Sequence, residues 1–208
     1  MSATMTRTET RPTSCIIDTE TGGLKPKHPT IQIAAICVDS ETFEEVDAIE
    51  MKLRFDPAAC DPEALELNSY DPDRWATEAL AVGIVTLRLD KFFRKHADLK
   101  MIGKDSGKPY QTARLIGHNV GFDAPRLVAL WGDTYPPFCW WQPIDTVQLA
   151  LWYFFTEPDP AKRPRDFKLG TLCEWFEIEV SDDAHDALYD CRLVAELLKK
   201  LNRVDEEG

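Results

Sequence analysis

Two acids one residue apart, Asp18 and Glu20, close an apolar run and lead into Gly22-Gly23. Cys15-Ile16-Ile17 is short, apolar and partly β-branched, which reads as a buried strand. Side chains alternate faces along a strand, so Asp18 and Glu20 point the same way. Two carboxylates side by side at a buried strand end repel each other. A divalent cation between them removes the conflict, and an all-oxygen site suits Mg²⁺ or Mn²⁺. The glycines then allow a sharp turn or the close approach of a ligand. Taken alone, Asp-x-Glu fits an ordinary strand end with solvated acids equally well, so the chemistry needs partners elsewhere in the chain.

Two further segments supply them. Residues 115–123 read Leu-Ile-Gly-His-Asn-Val-Gly-Phe-Asp, a short apolar strand running into a polar turn. A helical pattern follows from Ala124 to Trp131. Asp123 falls at its N-cap and Pro125 in its first turn, where proline is tolerated. The third segment is His185-Asp186-Ala187-Leu188-Tyr189-Asp190. From Leu188 the apolar positions Cys191, Val194, Ala195, Leu198 and Leu201 keep a helical period, with Asp190 beside the stripe. His185 precedes Asp190 by five residues, about 140° around a regular helix. The histidine is therefore expected on the first turn or the preceding loop, where it suits a general base.

Asp18-x-Glu20, His118-Asn119-x-x-Phe122-Asp123 and His185-x-x-x-x-Asp190, in this order and spacing, resemble the DEDDh (DnaQ-like) 3′–5′ exonucleases. Asp145-Thr146-x-x-Leu149-Ala150 and Leu169-Gly170-x-Leu172 resemble segments that flank the second and third motifs of that family. The resemblance runs from about Ser14 to Leu201. The tyrosine subclass would carry Tyr where this chain has Asp186, so the histidine subclass is the better match. Gly23 stands where many members have Thr, and Gln32 where many have Glu; neither is a ligand position. The resemblance implies a ribonuclease H-like α/β fold and two divalent cations, Mg²⁺ or Mn²⁺, held by Asp18, Glu20, Asp123 and Asp190. Two cations about 3.5–4 Å apart serve the attacking and leaving oxygens of a phosphodiester. Asp18 would bridge them, and His185 would take the proton from water. Nucleoside 5′-monophosphates would leave. Substrate contacts are expected in the same motifs, at Thr21, Gly22, Leu24, Asn119 and Phe122.

A chain of 208 residues, 44% hydrophobic and 29% charged, fits one soluble domain with a sizeable core. The expected organisation is a disordered N-terminal tail over 1–13, a single domain over 14–202 and an acidic C-terminal tail over 203–208. No apolar run is long enough to span a bilayer, and the N-terminus lacks the apolar segment of a secretory signal. The six cysteines are scattered and form no C-x-x-C pair, which argues against zinc and for a reduced, cytoplasmic setting. A net charge of −12 excludes a general nucleic-acid coating protein, whose grip comes from Lys and Arg on phosphates. It is compatible with an enzyme that holds only a strand end, and it predicts salt-sensitive, weakly processive action unless a polymerase or other partner tethers it.

The elements that must position these residues follow a mixed pattern. Strands are expected near Cys15, over Thr30–Val38 and over Val46–Phe55, with no helix between them. A short helix over Glu63–Leu67 and a long amphipathic one over Ala81–His96 come next. Leu99–Gln111 reads as a loop, Ala113–Ile116 as a strand, Cys139–Ile144 as a last strand and Asp145–Phe155 as a helix. Early strands followed by alternating strands and helices give a mixed α/β sheet. The spacing in Gln148-Leu149-x-Leu151-x-x-Phe154-Phe155 superficially matches a sliding-clamp peptide, but a buried helix accounts for it. Trp140, Trp141 and Trp152 are expected in the core rather than as a stacking platform. The proline-rich segment 156–168 carries Lys162, Arg163, Arg165 and Lys168, either as a phosphate guide or as a solvated loop.

Three functional readings remain open on sequence. The first is an exonuclease on DNA 3′ ends, of the proofreading or repair type. The second applies the same chemistry to short RNA, with 2′-hydroxyl contacts near Gly22–Leu24 deciding the choice. The third is a non-catalytic exonuclease-like module that binds a polymerase or clamp.

Overall fold

The computed structural model describes residues 12–132, 139, 142–181 and 186–202. The chain opens with three long strands, β1 (Thr13–Thr21), β2 (Thr30–Asp39) and β3 (Glu45–Lys52). Two short helices, α1 (Pro62–Leu67) and α2 (Pro72–Glu78), precede the long α3 (Val82–Lys95). A small hairpin, β4 (Leu99–Ile102) and β5 (Pro109–Thr112), leads to β6 (Leu115–Gly117) and α4 (Asp123–Leu130). The chain then forms β7 (Ile144–Asp145), α5 (Thr146–Tyr153), α6 (Leu169–Trp175) and α7 (Ala187–Leu201).

The main sheet has the order β3-β2-β1-β6-β7. The first three strands are antiparallel, while β6 and β7 run parallel to β1. This central β1 is apolar on both faces because helices cover both. Cys15, Ile17, Ile33, Ala35 and Cys37 pack on one side against Val85, Leu89 and Phe93 of α3 and Leu127 of α4. Ile16, Ala34, Ile36 and Val38 pack on the other against Cys191, Val194 and Leu198 of α7. The β1 side chains alternate, so Asp18 and Glu20 continue the row of Ile16 and emerge on the α7 face. That alternation fixes the later meeting with Asp190.

The acids do sit at the strand end as expected: β1 runs to Thr21, and pairing with β2 continues through Glu20 opposite Gln32. Several other expectations shift. Residues 99–111 are not a loop: Leu99 to Ile102 pair with Thr112 back to Pro109. The hairpin escapes notice in the sequence because each strand is four residues long, and Pro109 sits at a strand's first position, where it is tolerated. The last strand is only Ile144–Asp145, with Cys139 making a lone parallel bridge to Ala113; Trp140 and Trp141 lie outside the described residues. Trp152 is no core residue. It is 75% exposed and stacks on Phe155, which is 74% exposed. The buried-helix account of 148–155 therefore holds only for Ala150 and Phe154, because α5 is apolar on nearly all sides and has no single buried face. All six cysteines are free thiols. Among the described residues, no helix is long and apolar enough to cross a membrane.

Candidate active site

Asp18, Glu20 and Asp190 each place a carboxylate oxygen within 4.8 Å of the other two. Strand β1 supplies the first two from one face, and the first turn of α7 supplies the third. Asp123 enters from α4 on the opposite layer. It is the first helical residue rather than the cap, and it is buried. Its Oδ1 accepts a hydrogen bond from Thr19 Oγ1 at 2.5 Å, so the residue between the two β1 acids holds the fourth acid in place.

The electrostatics of this corner are those of anions short of a counter-charge. Burial raises the Asp18 carboxyl well above the usual range, and Asp123, Glu20, Asp190 and Asp186 push it further. Burial likewise lifts Glu20 to about 8, helped by Asp190, Asp123 and Asp186. Asp123 rises to about 6 through burial, held back by the Thr19 hydroxyl and by Arg126. Packed hydrogen-bonded acids that repel one another in this way are relieved by a divalent cation. The donor set is all oxygen, which fits Mg²⁺ or Mn²⁺.

Cap residues with no place in the expected ligand set hold the corner together. Asp186 Oδ1 accepts from the Leu188 and Tyr189 amides at 3.1 and 3.2 Å, capping α7. Its Oδ2 accepts from Gln32 Nε2 at 3.0 Å, and the same amide nitrogen donates to Glu50 Oε1 at 2.7 Å. Asp145 plays the matching part for the second motif. Its Oδ1 accepts from the Val147 amide at 2.9 Å, capping α5, and from the Asn119 amide at 3.0 Å. His118 Nδ1 lies 2.9 Å from Thr146 Oγ1, and burial lowers its pKa, so this imidazole is neutral at pH 7. The signal in sequence was an Asp just before each helical period, a common cap, and for Asp145 its place in the segment that resembles one flanking the second motif.

The remaining expected contacts surround the acids unevenly. Thr21 is buried, and its hydroxyl donates to the Gly23 carbonyl. A Cβ at Gly22 would collide with Cys60, and one at Gly23 (φ +145°) with His28 and Asp61, so this turn requires glycine. Leu24 is 84% exposed beyond it. Asn119 is exposed with φ +55°, and Phe122 carries the Arg126 guanidinium 3.4 Å from its ring centroid. His185 lies outside the described residues.

No protein-family model matches the sequence, and no curated protein matches it at a significant level. Solved structures do. E. coli exonuclease I in a zinc-bound complex with single-stranded DNA aligns with a TM-score of 0.67 at 20% identity, covering 91% of this chain and 40% of that one. The same enzyme with a dT13 oligonucleotide aligns with a TM-score of 0.67 at 21% identity, over 93% and 41%. A 3′-exonuclease that recognises a histone mRNA stem-loop aligns with a TM-score of 0.67 at 17% identity, over 92% and 63%. The chain thus spans about two fifths of the length of the exonuclease I chains it matches. At such identities the likeness establishes the architecture: a ribonuclease H-like α/β fold, with its five-stranded mixed sheet flanked by helices.

Proposed function

We propose that this chain is a divalent-cation-dependent 3′–5′ exonuclease of the DEDDh type, acting on DNA 3′ ends in proofreading or repair and releasing nucleoside 5′-monophosphates. The observation that carries the reading is the convergence of Asp18, Glu20 and Asp190 within 4.8 Å, with buried Asp123 bonded to the intervening Thr19. Asp18, Glu20, Asp123 and Asp190 would hold the cations, Mg²⁺ or Mn²⁺. When bound, they supply charge relief at the phosphate and a water of lowered pKa. The carboxylates fix that charge at the mouth of the turn, and His185, directly before the α7 cap, accepts the proton of the water. Thr21, Gly22 and Leu24 on one side, and Asn119 and Phe122 on the other, flank the path of the terminal nucleotide. The six free thiols fit a reducing, cytoplasmic setting, and the acidic surface favours a tethering partner such as a polymerase.

Exonuclease I in complex with single-stranded DNA favours DNA, and the histone mRNA 3′-exonuclease keeps RNA as the second reading. An end-labelled assay separates them. It compares single-stranded DNA, duplex DNA with a mismatched end and short RNA, with Mg²⁺, Mn²⁺ or EDTA. Stepwise 3′ shortening that EDTA abolishes is expected, fastest on DNA. No shortening of any substrate with either metal would return the chain to a non-catalytic binding module. His185→Ala should fold normally yet lose about 10²–10⁴ in rate, with the rise of activity with pH removed. An unchanged pH limb in that variant would assign the proton to another acceptor.

A further inference from the structure

The charge of the chain is segregated. Residues 88–108 carry Arg88, Lys91, Arg94, Lys95, Lys100, Lys104 and Lys108 against Asp90, Asp98 and Asp105, a net +4, while the whole chain is −12. The remainder is therefore −16. These residues form the last turns of α3 and the β4–β5 hairpin. Arg94 and Lys95 are engaged, with Asp90 at 2.8 Å and Asp47 at 2.9 Å. Arg88, Lys91, Lys100, Lys104 and Lys108 are all exposed and make no ion pair among the described residues.

The hairpin that carries three of them stands apart from the main sheet, its two strands pairing only with each other. A lone two-stranded hairpin is marginally stable in water. This one also presents Ile102, 66% exposed, and Tyr110, 40% exposed. Arg94 of α3 lines one open groove together with Lys104, Ser106 and Tyr110 of the hairpin, so helix and hairpin form a continuous surface. The surface lies away from the carboxylates. Cys15 is the register partner of Leu115, just after the hairpin, and Glu20 is five residues further along β1, about 17 Å at strand rise.

We infer that the α3–hairpin surface is a second nucleic-acid contact, binding the phosphodiester backbone of a strand whose 3′ end occupies the carboxylate cluster. The inference rests on the exonuclease reading for the identity of the ligand. Charge complementarity carries it. An acidic molecule that must hold a polyanion needs local cations, and unpaired Lys side chains beside an exposed Tyr offer phosphate contact and base stacking. The distance from the acids sets a length threshold: short ends reach only the cluster, and longer strands reach both.

The test is a Lys100→Gln/Lys104→Gln/Lys108→Gln variant, with the corresponding Lys→Arg triple variant as the charge-retaining control. Affinity for a tetranucleotide and for a strand of about 20 nucleotides, as DNA and as RNA, is measured with Ca²⁺ in place of Mg²⁺ at several salt concentrations. For the long strand the Gln variant should bind at least tenfold more weakly. Its salt slope should fall by about 2, since each lost single-strand phosphate contact removes about 0.7. The tetranucleotide should bind as it does to the parent and, with Mg²⁺ restored, be cleaved at the parent's rate, and the Arg variant should match the parent throughout. Equal long-strand affinity and slope in the Gln variant would overturn the inference. So would displacement of the long strand by polyglutamate at equal charge, which would assign the surface to acidic protein. If the parent cleaves nothing while the Gln variant still loses long-strand binding, the exonuclease reading fails and the hairpin contact stands.

Discussion

Asp18 is the residue on which the carboxylate cluster turns, because every neighbouring acid raises its pKa and burial raises it most. Asp18→Asn should abolish cleavage, since a neutral amide cannot offset cationic charge. Stability without metal should hold or rise, because one repelling carboxylate is gone. Full activity of that variant at saturating Mg²⁺ would remove Asp18 from the ligand set. Glu20 gives a pH prediction. Its folded pKa is about 8 against an ordinary 4.5, so the folded chain keeps a proton that the unfolded chain releases between those values. More protons bound when folded means that stability falls as pH rises from about 4.5 to 8, by up to about 1.4 kcal/mol per unit. Divalent cations compete with that proton and favour the ionised form. The Tm gain from Mg²⁺ or Mn²⁺ over EDTA should therefore be larger at pH 8 than at pH 5. Glu20→Gln should flatten the metal-free slope, and a parental slope in that variant would place the titration elsewhere. Asp18, Glu20 and Asp190 were legible in the sequence because strand alternation and helical period place them on known faces; Asp123, read there as a cap, was singled out by the resemblance that its motif carries. The caps Asp145 and Asp186 were not, because an Asp before a helix signals a cap in any protein.

At the scale of elements, one side chain ties the α7 cap to two strands of the sheet. Gln32 on β2 donates to Asp186 on the α7 cap and to Glu50 on β3, tying three elements beside the acids. An amide is needed there because both partners are carboxylates. Gln32→Glu would set three carboxylates together, loosening the first turn of α7 and with it Asp190. The expected result is a fall in kcat of tenfold or more with little change in KM. Hydrogen exchange at the Leu188 and Tyr189 amides should be faster, since both depend on the cap. Adding Asp186→Asn to that variant restores an amide–carboxylate pair and should recover most of the loss. If the double variant is no better than Gln32→Glu alone, Gln32 acts only through packing. Long elements such as α3 and α7 were legible because their apolar period repeats over several turns. Short ones were not: β4 and β5 are four residues long, too few for alternation to register, and β7, expected over Cys139–Ile144, is only two. Helix α5 misled for the opposite reason, being apolar nearly all round, so that period gave no face.

At the scale of the whole molecule, a net charge of −12 sets the terms for holding a polyanion. The segment 156–168 is anchored rather than merely solvated. Pro164 is buried, the Phe167 backbone lies beside the His118 ring, and Asp166 Oδ1 accepts from the Lys168 amide at 3.1 Å. That anchorage holds the cations Lys162, Arg163 and Arg165 near the second motif. Lys162 and Arg163 make no ion pair among the described residues. Arg165 reaches Glu174 only at 3.9 Å, with both side chains exposed, a contact worth little. Replacing all three by Ala should weaken binding of short and long strands alike, because this segment returns to the end of the sheet where His118 lies. The hairpin variant should weaken only long strands. Single-turnover rate at saturation should change little, since none of the three meets the reacting atoms. The salt dependence of binding should flatten as fewer counterions are released. A solvated loop with no part in binding makes the opposite forecast, in which affinity and slope match the parent for every strand length. Measured with Ca²⁺ to suppress cleavage, a short-strand affinity equal to the parent's would assign these cations to solubility alone.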